Sequence, residues 1–295
     1  MVDPVQSAAR GAFDELVREV RPDLHRYCAR MVGSSIEGED IVQDVLAKAF
    51  YQLSELDQID NLRGWLFRSA HNRALDHLRS YGQRFAEPLD DGLPAQEETA
   101  AFARAEAAAI GLPYFAKLTP LQRGAVILKD VLGYTLAEIA EVLDSSLPAV
   151  KGALHRGRGG LRRLVVGASE GGKPILDGGE VALLQRYAER FNAQDYDGLR
   201  EMLAEDVRLD LVGRFQAAGA RSVGQYFTNY AKAPEVRARI GHVEGRAVLL
   251  LSDTVGEEPS YFVRLAWREG RLASIRDYRY ARHVFREASE VFAPE

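Results

Sequence analysis

Apolar residues recur at helical spacing from near the start of the chain: Phe13, Leu16, Val17, Val20, then Leu24, Tyr27 and Met31. The pattern predicts helix across residues 13–80. Pro22 should open a new turn there, because its ring suits a first turn better than a helix interior. Ser34-Ser35-Ile36-Glu37 has the form of a capping box for the next helix, and Asn61 can cap a third over residues 62–79. Residues 81–112 break the rhythm with Gly82, Pro88, Gly92 and Pro94, leaving one alanine-rich helical stretch at 97–110. Periodicity returns over 114–164. A glycine-rich linker at 167–179 follows.

Beyond that linker the period changes. Residues 181–203 read as an amphipathic helix, 207–212 as a strand and 222–231 as a short helix rich in aromatics. Strand-like runs follow at 236–243, 247–252, 261–268 and 271–280. Glu244-Gly245-Arg246 and Glu269-Gly270-Arg271 stand between them as hairpin turns. Helices followed by a strand meander is an α+β order, and no internal repeat is visible. The segmentation is 1–80, linker 81–112, 113–166, linker 167–179, 180–285 and a tail at 286–295.

Composition changes this picture little. No run approaches the ~20 apolar residues of a membrane helix, and residues 1–10 are interspersed with polar residues, without the apolar core of a secretory signal. Cys28 is the only cysteine, which excludes an intrachain disulfide framework and a cysteine zinc cluster. The expectation is a cytoplasmic protein without membrane contact, metal or cofactor. Charge is more telling. The chain carries −5 overall, but residues 113–166 hold 8 Lys and Arg against 4 Asp and Glu, whereas 81–112 hold 2 against 6. Nucleic-acid binding depends on local charge, so 113–166 is the candidate segment.

Three constellations carry chemistry. In Gly38-Glu39-Asp40-Ile41-Val42-Gln43-Asp44, helical spacing puts Asp40, Gln43 and Asp44 on one face and Val42, Val45, Leu46, Ala49 and Phe50 on the other. A solvated acidic face on a core helix reads the same way. In residues 61–79, Arg68, His71, Asn72 and Arg79 share a face suited to phosphates and base edges, with Trp65 among the apolar positions. The third is a helix-turn-helix: a helix at 133–143, a turn at Asp144-Ser145-Ser146, and a second helix over 147–158 capped by Ser146. Ala140 should sit at the crossing, with Val150 and Leu154 buried. Lys151, His155, Arg158 and Arg162 align along one side of the second helix as a row for phosphates. Its outward face shows Ala149, Gly152, Ala153 and Arg156, of which Arg156 is the side chain suited to bidentate base contact. Gly157, Gly159 and Gly160 should weaken its end by roughly 1 kcal/mol each.

Taken in this order, residues 13–164 resemble the extracytoplasmic-function sigma factors, two all-α domains joined by an acidic linker. The resemblance implies that Asp40, Gln43 and Asp44 contact core RNA polymerase. It implies that a loop at 57–63 captures an unpaired base of the melted −10 element, with Asn61, Arg63, Trp65, Arg68, Asn72 and Arg79 on that DNA. The helix-turn-helix would read the double-stranded −35 element with Ala149, Lys151, Ala153, His155, Arg156, Arg158 and Arg162.

Residues 180–285 resemble the SnoaL-like cone fold, entered through Tyr187-Ala188-Glu189-Arg190-Phe191-Asn192 and the strand from Val207. The fold class is thus multidomain, two all-α domains followed by an α+β cone. In sigma factors with such a fused domain, it modulates the factor. Asp210, His242 and Asp277 are candidates for acid–base work. Asp210, Tyr226, Tyr230, Trp267 and Asp277 together make a candidate cone pocket for a small ligand. Solvent exposure for Asp210, ion pairing for Asp277 and simple core packing for the aromatics fit the same pattern. The expected role is non-enzymatic, with core polymerase and promoter DNA as partners. A stand-alone helix-turn-helix regulator and a small-molecule enzyme on the cone domain are the alternatives.

Overall fold

The computed structural model describes residues 4–52, 61–80, 104–166, 178–233, 235–288 and 291–292. The chain divides into two compact units, Met1–Glu170 and Gly171–Glu295. Residues 53–60, 81–103 and 167–177, which hold most of the expected base-capture loop and both expected linker interiors, lie outside the described residues.

The first unit opens with α1 (Pro4–Val32), α2 (Ser35–Tyr51) and α3 (Leu62–Ser80). Pro22 lies inside α1, contrary to the expected break. Val20, Leu24, Tyr27 and Met31 are all essentially inaccessible around it. Burial of that stripe along one helix outweighs the ~3 kcal/mol cost of an internal proline. Ser34 accepts from the Glu37 N–H at 3.2 Å, and Asn61 Oδ1 accepts from the Gly64 N–H at 2.8 Å, so both expected caps form. At Gly38 the two first helices nearly touch: an added Cβ would lie 2.5 Å from the Ala29 backbone nitrogen. Glycine at this position allows the α1–α2 approach. Cys28 is buried in this packing, and burial pushes its thiol up and away from reactivity.

After α4 (Arg104–Ala109) and α5 (Leu112–Phe115) come α6 (Pro120–Val126), a π-helical turn at Ile127–Val131, α7 (Leu136–Val142) and α8 (Leu147–Val166). Thr135 and Glu138 cap α7 reciprocally. The Ala149 N–H bonds to Ser146 Oγ at 3.3 Å, as expected for α8. Yet α8 runs through all three glycines. Gly157 packs so close to α6 that a Cβ would stand 2.7 Å from Val126 Cγ2. The tertiary contact it permits keeps the helix going where propensity alone would end it.

These two helical groups share one apolar core. Tyr27, Phe67, Leu128, Val142 and Val150 belong to the same buried cluster. Arg123, itself buried, donates to the carbonyls of Ala116 at 2.8 Å and Leu118 at 2.9 Å, and also to that of Met31 at the end of α1. Arg30 of α1 donates to the Ala108 carbonyl at 2.7 Å.

The second unit is a seven-stranded sheet of order β2-β1-β6-β5-β4-β3-β7. Its strands are β1 (Leu203–Leu211), β2 (Phe215–Ala218), β3 (Arg237–Val243), β4 (Arg246–Ser252), β5 (Tyr261–Arg268), β6 (Arg271–Asp277) and β7 (Val291–Phe292). β1 and β6 run parallel and the other pairs antiparallel. Helices α9 (Gly178–Asn192), α10 (Tyr196–Glu201) and α11 (Ala220–Ala231) supply Leu184, Tyr187, Leu199 and Phe227 to the core against Leu249, Val263 and Ile275. A short α12 (Arg282–Glu287) follows β6. This is the expected α+β cone. The helix read over 181–203 is broken at Gln194, whose φ is +59°. Asn192 ends α9 by bonding both backbone groups of Ala238 on β3, at 2.8 and 2.9 Å. The two expected hairpin turns form with positive φ at Glu244 and Gly245 and at Glu269 and Gly270. β2 was not foreseen, and within the stretch read as a tail, Val291 and Phe292 pair with β3.

Candidate functional site

Along α2, Asp40 and Gln43 are half-buried and Asp44 is exposed. Asp44 accepts two bonds from Arg73 of α3, at 3.0 and 2.8 Å. The neighbouring Glu39 is fully buried and paired with Arg21 of α1, and Gln43 Nε2 lies 3.5 Å from its carboxylate. The acidic motif therefore splits by depth: Glu39 ties α2 to α1, while Asp40, Gln43 and Asp44 form the outer face. No periodicity marks Glu39 as buried, because a charge enters a core only where a partner such as Arg21 waits. Phe50, expected on the apolar face, is 39% exposed beside exposed Tyr51.

On α3, Asn61, Arg68, Asn72 and Arg79 are exposed and Trp65 is half-buried. Arg79 pairs with Asp76 at 3.0 Å. His71 departs from the expected DNA face: it is buried, with Nδ1 2.8 Å from the Tyr27 hydroxyl. Burial lowers its pKa to about 4, so the imidazole is neutral and structural. Arg63 and Arg68 turn toward the second helical group. Arg63 donates to the Tyr134 hydroxyl at 3.1 Å and to Asp23 at 2.9 Å, with Glu19 at 3.6 Å. Arg68 donates to the Glu141 carbonyl at 2.9 and 2.5 Å, at the end of α7. Between α3 and α7 lies a cleft of about 410 Å³ lined by Asn61, Arg63, Trp65, Arg68, Tyr134 and Glu138. Sequence offered no signal for this meeting, since its partners are 71 and 73 residues apart.

Helix α8 exposes Lys151 and Arg156, with Ala149, His155 and Arg162 half-buried. Two expected contacts point elsewhere. Ala153 is fully buried with Val150 and Leu154 in the core, which removes it from the outward face. Arg158 forms a two-pronged pair with Asp130 on the π-helical turn, at 2.9 and 2.6 Å. Asp130 is the residue that sequence reasoning missed. The π turn offsets the helix by one residue and brings it under α8.

In the cone domain the candidate pocket separates into three places. Tyr226 and Tyr230 both donate to Asp277, at 2.9 and 2.8 Å, and the Arg279 N–H adds a third bond at 2.8 Å. Burial raises the Asp277 carboxyl, partly offset by these donors. Rings pack edge to face beside it: Phe191 and Tyr226 lie 5.0 and 5.1 Å from Tyr230. Asp210 instead pairs with Arg276 at 3.1 Å, and its strand neighbours Leu209 and Leu211 face the core. Trp267 lines a separate cavity. His242 is buried on β3, away from solvent.

Comparison with known proteins agrees with this layout. The Sigma-70 region 2 model matches residues 16–84, and the Sigma-70 region 4 model matches 114–159. The ECF RNA polymerase sigma factor SigG of Mycobacterium tuberculosis is 28% identical over 240 residues, 72% of this chain and 65% of SigG. The chain thus spans just under two thirds of that relative's length. SigM of the same species is 31% identical over 156 residues, 53% of this chain and 78% of SigM. The crystal structure of Mycobacterium tuberculosis SigJ aligns over 89% of this chain and 95% of its own, with 20% identity and a TM-score of 0.34. With region 2 spanning α1 to α3, region 4 spanning α6 to α8, and a sigma factor matched over most of its length, the chain belongs to the extracytoplasmic-function family of RNA polymerase sigma factors.

Proposed function

We propose that this chain binds core RNA polymerase through the outer face of α2 and directs initiation at specific promoters. In this reading Asp40, Gln43 and Asp44 make the polymerase contact. Asn61, Arg63, Trp65, Arg68, Asn72 and Arg79 hold melted −10 DNA. Ala149, Lys151, His155, Arg156 and Arg162 of α8 meet the −35 duplex. The observation that carries it is the presence of region 2 and region 4 in order in one chain, with a region 4 helix that bears basic residues and no acid from 147 to 164.

The closed first unit adds a condition. Arg63 and Arg68 are occupied by Tyr134 and Glu141 of region 4, so binding −10 DNA requires region 4 to leave α3. Polymerase supplies the energy for that separation if it binds the open form better. The α+β domain acts as a built-in modulator rather than an enzyme, consistent with the filled interior around Asp277, and it takes a small ligand. No helix among the described residues is long and apolar enough to cross a membrane. The proposed role in initiation calls for a cytoplasmic chain.

Run-off transcription with purified core polymerase on promoters selected from genomic DNA tests this reading. The full chain is compared with a truncation ending at Val166. Initiation by either form supports the assignment. If neither form initiates nor binds core polymerase, the assignment fails and a stand-alone regulator takes its place.

A further inference from the structure

Two central strands of the cone domain part company. The ladder between β4 and β5 covers only Leu249–Leu251 against Tyr261–Val263, although β4 begins at Arg246 and β5 continues to Arg268. β4 stays paired with β3 down to Arg246, and β5 with β6 up to Arg268. Among the described residues the sheet therefore opens as a fork, and the first turns of α9 line its side. The fork holds a cavity of about 590 Å³, within the range of small-molecule sites. Val181, Leu183, Ala247, Leu265 and Trp267 make its walls, with Arg246 exposed at the rim.

The polar groups beside this cavity differ from those around Asp277. There, tyrosine hydroxyls and a backbone N–H satisfy the carboxylate. Here, Trp267 Nε1 and His242 Nε2 are buried and lack any hydrogen-bond partner. His242 stands directly across from Ala247 of the cavity wall. Each such orphan is a desolvated polar group that a ligand atom or a water could satisfy. Glu180 is the one carboxylate on the lining, exposed in the first turn of α9. An apolar wall, a rim cation and an indole donor together suit an acceptor-bearing anion with an apolar body.

We propose that this fork binds a small amphipathic carboxylate. Its apolar part lies against Val181, Leu183 and Leu265. Its carboxylate is held by Arg246 and satisfies the indole N–H of Trp267, directly or through water. The site deepens the proposed modulating role, and only its consequence rests on that reading. Helix α9 continues directly from the linker after region 4, so a ligand that fixes its first turn acts on the segment that joins modulator to initiator.

Isothermal titration of the full chain with octanoate, below its micelle concentration, tests the site. The same titration uses 1-octanol and octylamine as probes. Octanoate should saturate a single site. Octanol should bind ~10-fold more weakly, the worth of one charge-assisted contact, and octylamine should not compete. Arg246→Glu should weaken octanoate by ~10-fold and leave octanol unchanged. Trp267→Phe should weaken octanoate as well. Should that core variant misfold, Arg246→Glu still decides, because Arg246 is exposed. Absence of saturable octanoate binding, equal binding of octanoate and octanol, or indifference to Arg246→Glu each overturns the proposal. Binding is measured without polymerase, so failure of run-off transcription with intact octanoate binding counts against the initiation reading alone. A chain that initiates but ignores octanoate counts against the fork alone.

Discussion

The two helices proposed to read DNA are in opposite situations. On α3, Arg63 and Arg68 are turned inward, held by Tyr134 and by the carbonyl end of α7. On α8, Lys151 and Arg156 face solvent, and the side chains that turn inward, Val150, Ala153 and Arg158, build the fold. The difference teaches that a basic residue on an amphipathic helix has no fixed role. Arg158 and Arg156 are two positions apart. One meets a buried carboxylate and becomes structural, and the other stays on the exposed side of the helix. In the proposed reading, the helix assigned to the −35 duplex presents its cations, while two arginines of the helix assigned to −10 DNA are engaged by Tyr134 and Glu141.

The largest effect should come from reversing the outer face of α2, whose Asp44 also pairs with Arg73 of α3. Asp40→Arg with Asp44→Arg should cost several kcal/mol in polymerase affinity, since like charges set against each other are penalised that much. Surface plasmon resonance with immobilised core polymerase checks it. Unchanged affinity would favour a stand-alone regulator, which has no use for this face.

Next is the joint that holds α3 in place. His71 is neutral in the fold with a pKa of about 4, against an ordinary value near 6.5 in the unfolded chain. Between those values the unfolded chain binds the extra proton. The contribution is complete above pH 6.5 and drains away as pH falls toward 4, a loss of about 3 kcal/mol at most. Urea unfolding of the full chain at stepped pH should show it, and His71→Asn should flatten that slope. A slope unaltered in the variant would assign the acid sensitivity to other groups.

A sharper comparison of the two helices uses α8 itself. Arg156→Ala should weaken −35 duplex binding by about 1–3 kcal/mol and relax preference at one base step, whereas Lys151→Ala should weaken all duplexes about equally and reduce the salt slope. Arg158→Ala should instead act on stability, leaving buried Asp130 without its partner. Fluorescence anisotropy beside thermal denaturation separates the two classes. Loss of DNA affinity at full stability in Arg158→Ala would return it to the phosphate row.

The smallest expected effect is also the most direct test of the covered α3. Tyr134→Phe keeps the ring, 5.2 Å from Phe67, and removes the acceptor for Arg63. Losing one hydrogen bond to a charged group weakens the closed form by about 1.5 kcal/mol, the low end of the range because Arg63 is part-exposed. Binding of a single-stranded −10 oligonucleotide should rise a few-fold as the open form gains population. A fall in binding would mean that Tyr134 itself belongs to the DNA surface.

The sequence by itself determined a great deal that is local. Caps at Ser34, Asn61 and Ser146, the hairpins at Gly245 and Gly270, and the two helical groups followed by an α+β domain all depend on short-range spacing and side-chain chemistry. The acidic face of α2 and the basic side of α8 were legible for the same reason. Tertiary structure decided what those residues meet. It carried α1 on through Pro22, drew Glu39 and His71 inside, spent Arg158 on Asp130, and carried α8 past Gly157 because α6 needed the room. It also gathered Tyr226, Tyr230 and Asp277 into one filled interior while sending Trp267 to the fork between β4 and β5. Each outcome turns on partners tens of residues away. Periodicity tells which side of an element is apolar, but the identity of the group across the gap decides whether a charge is solvated, paired or made neutral.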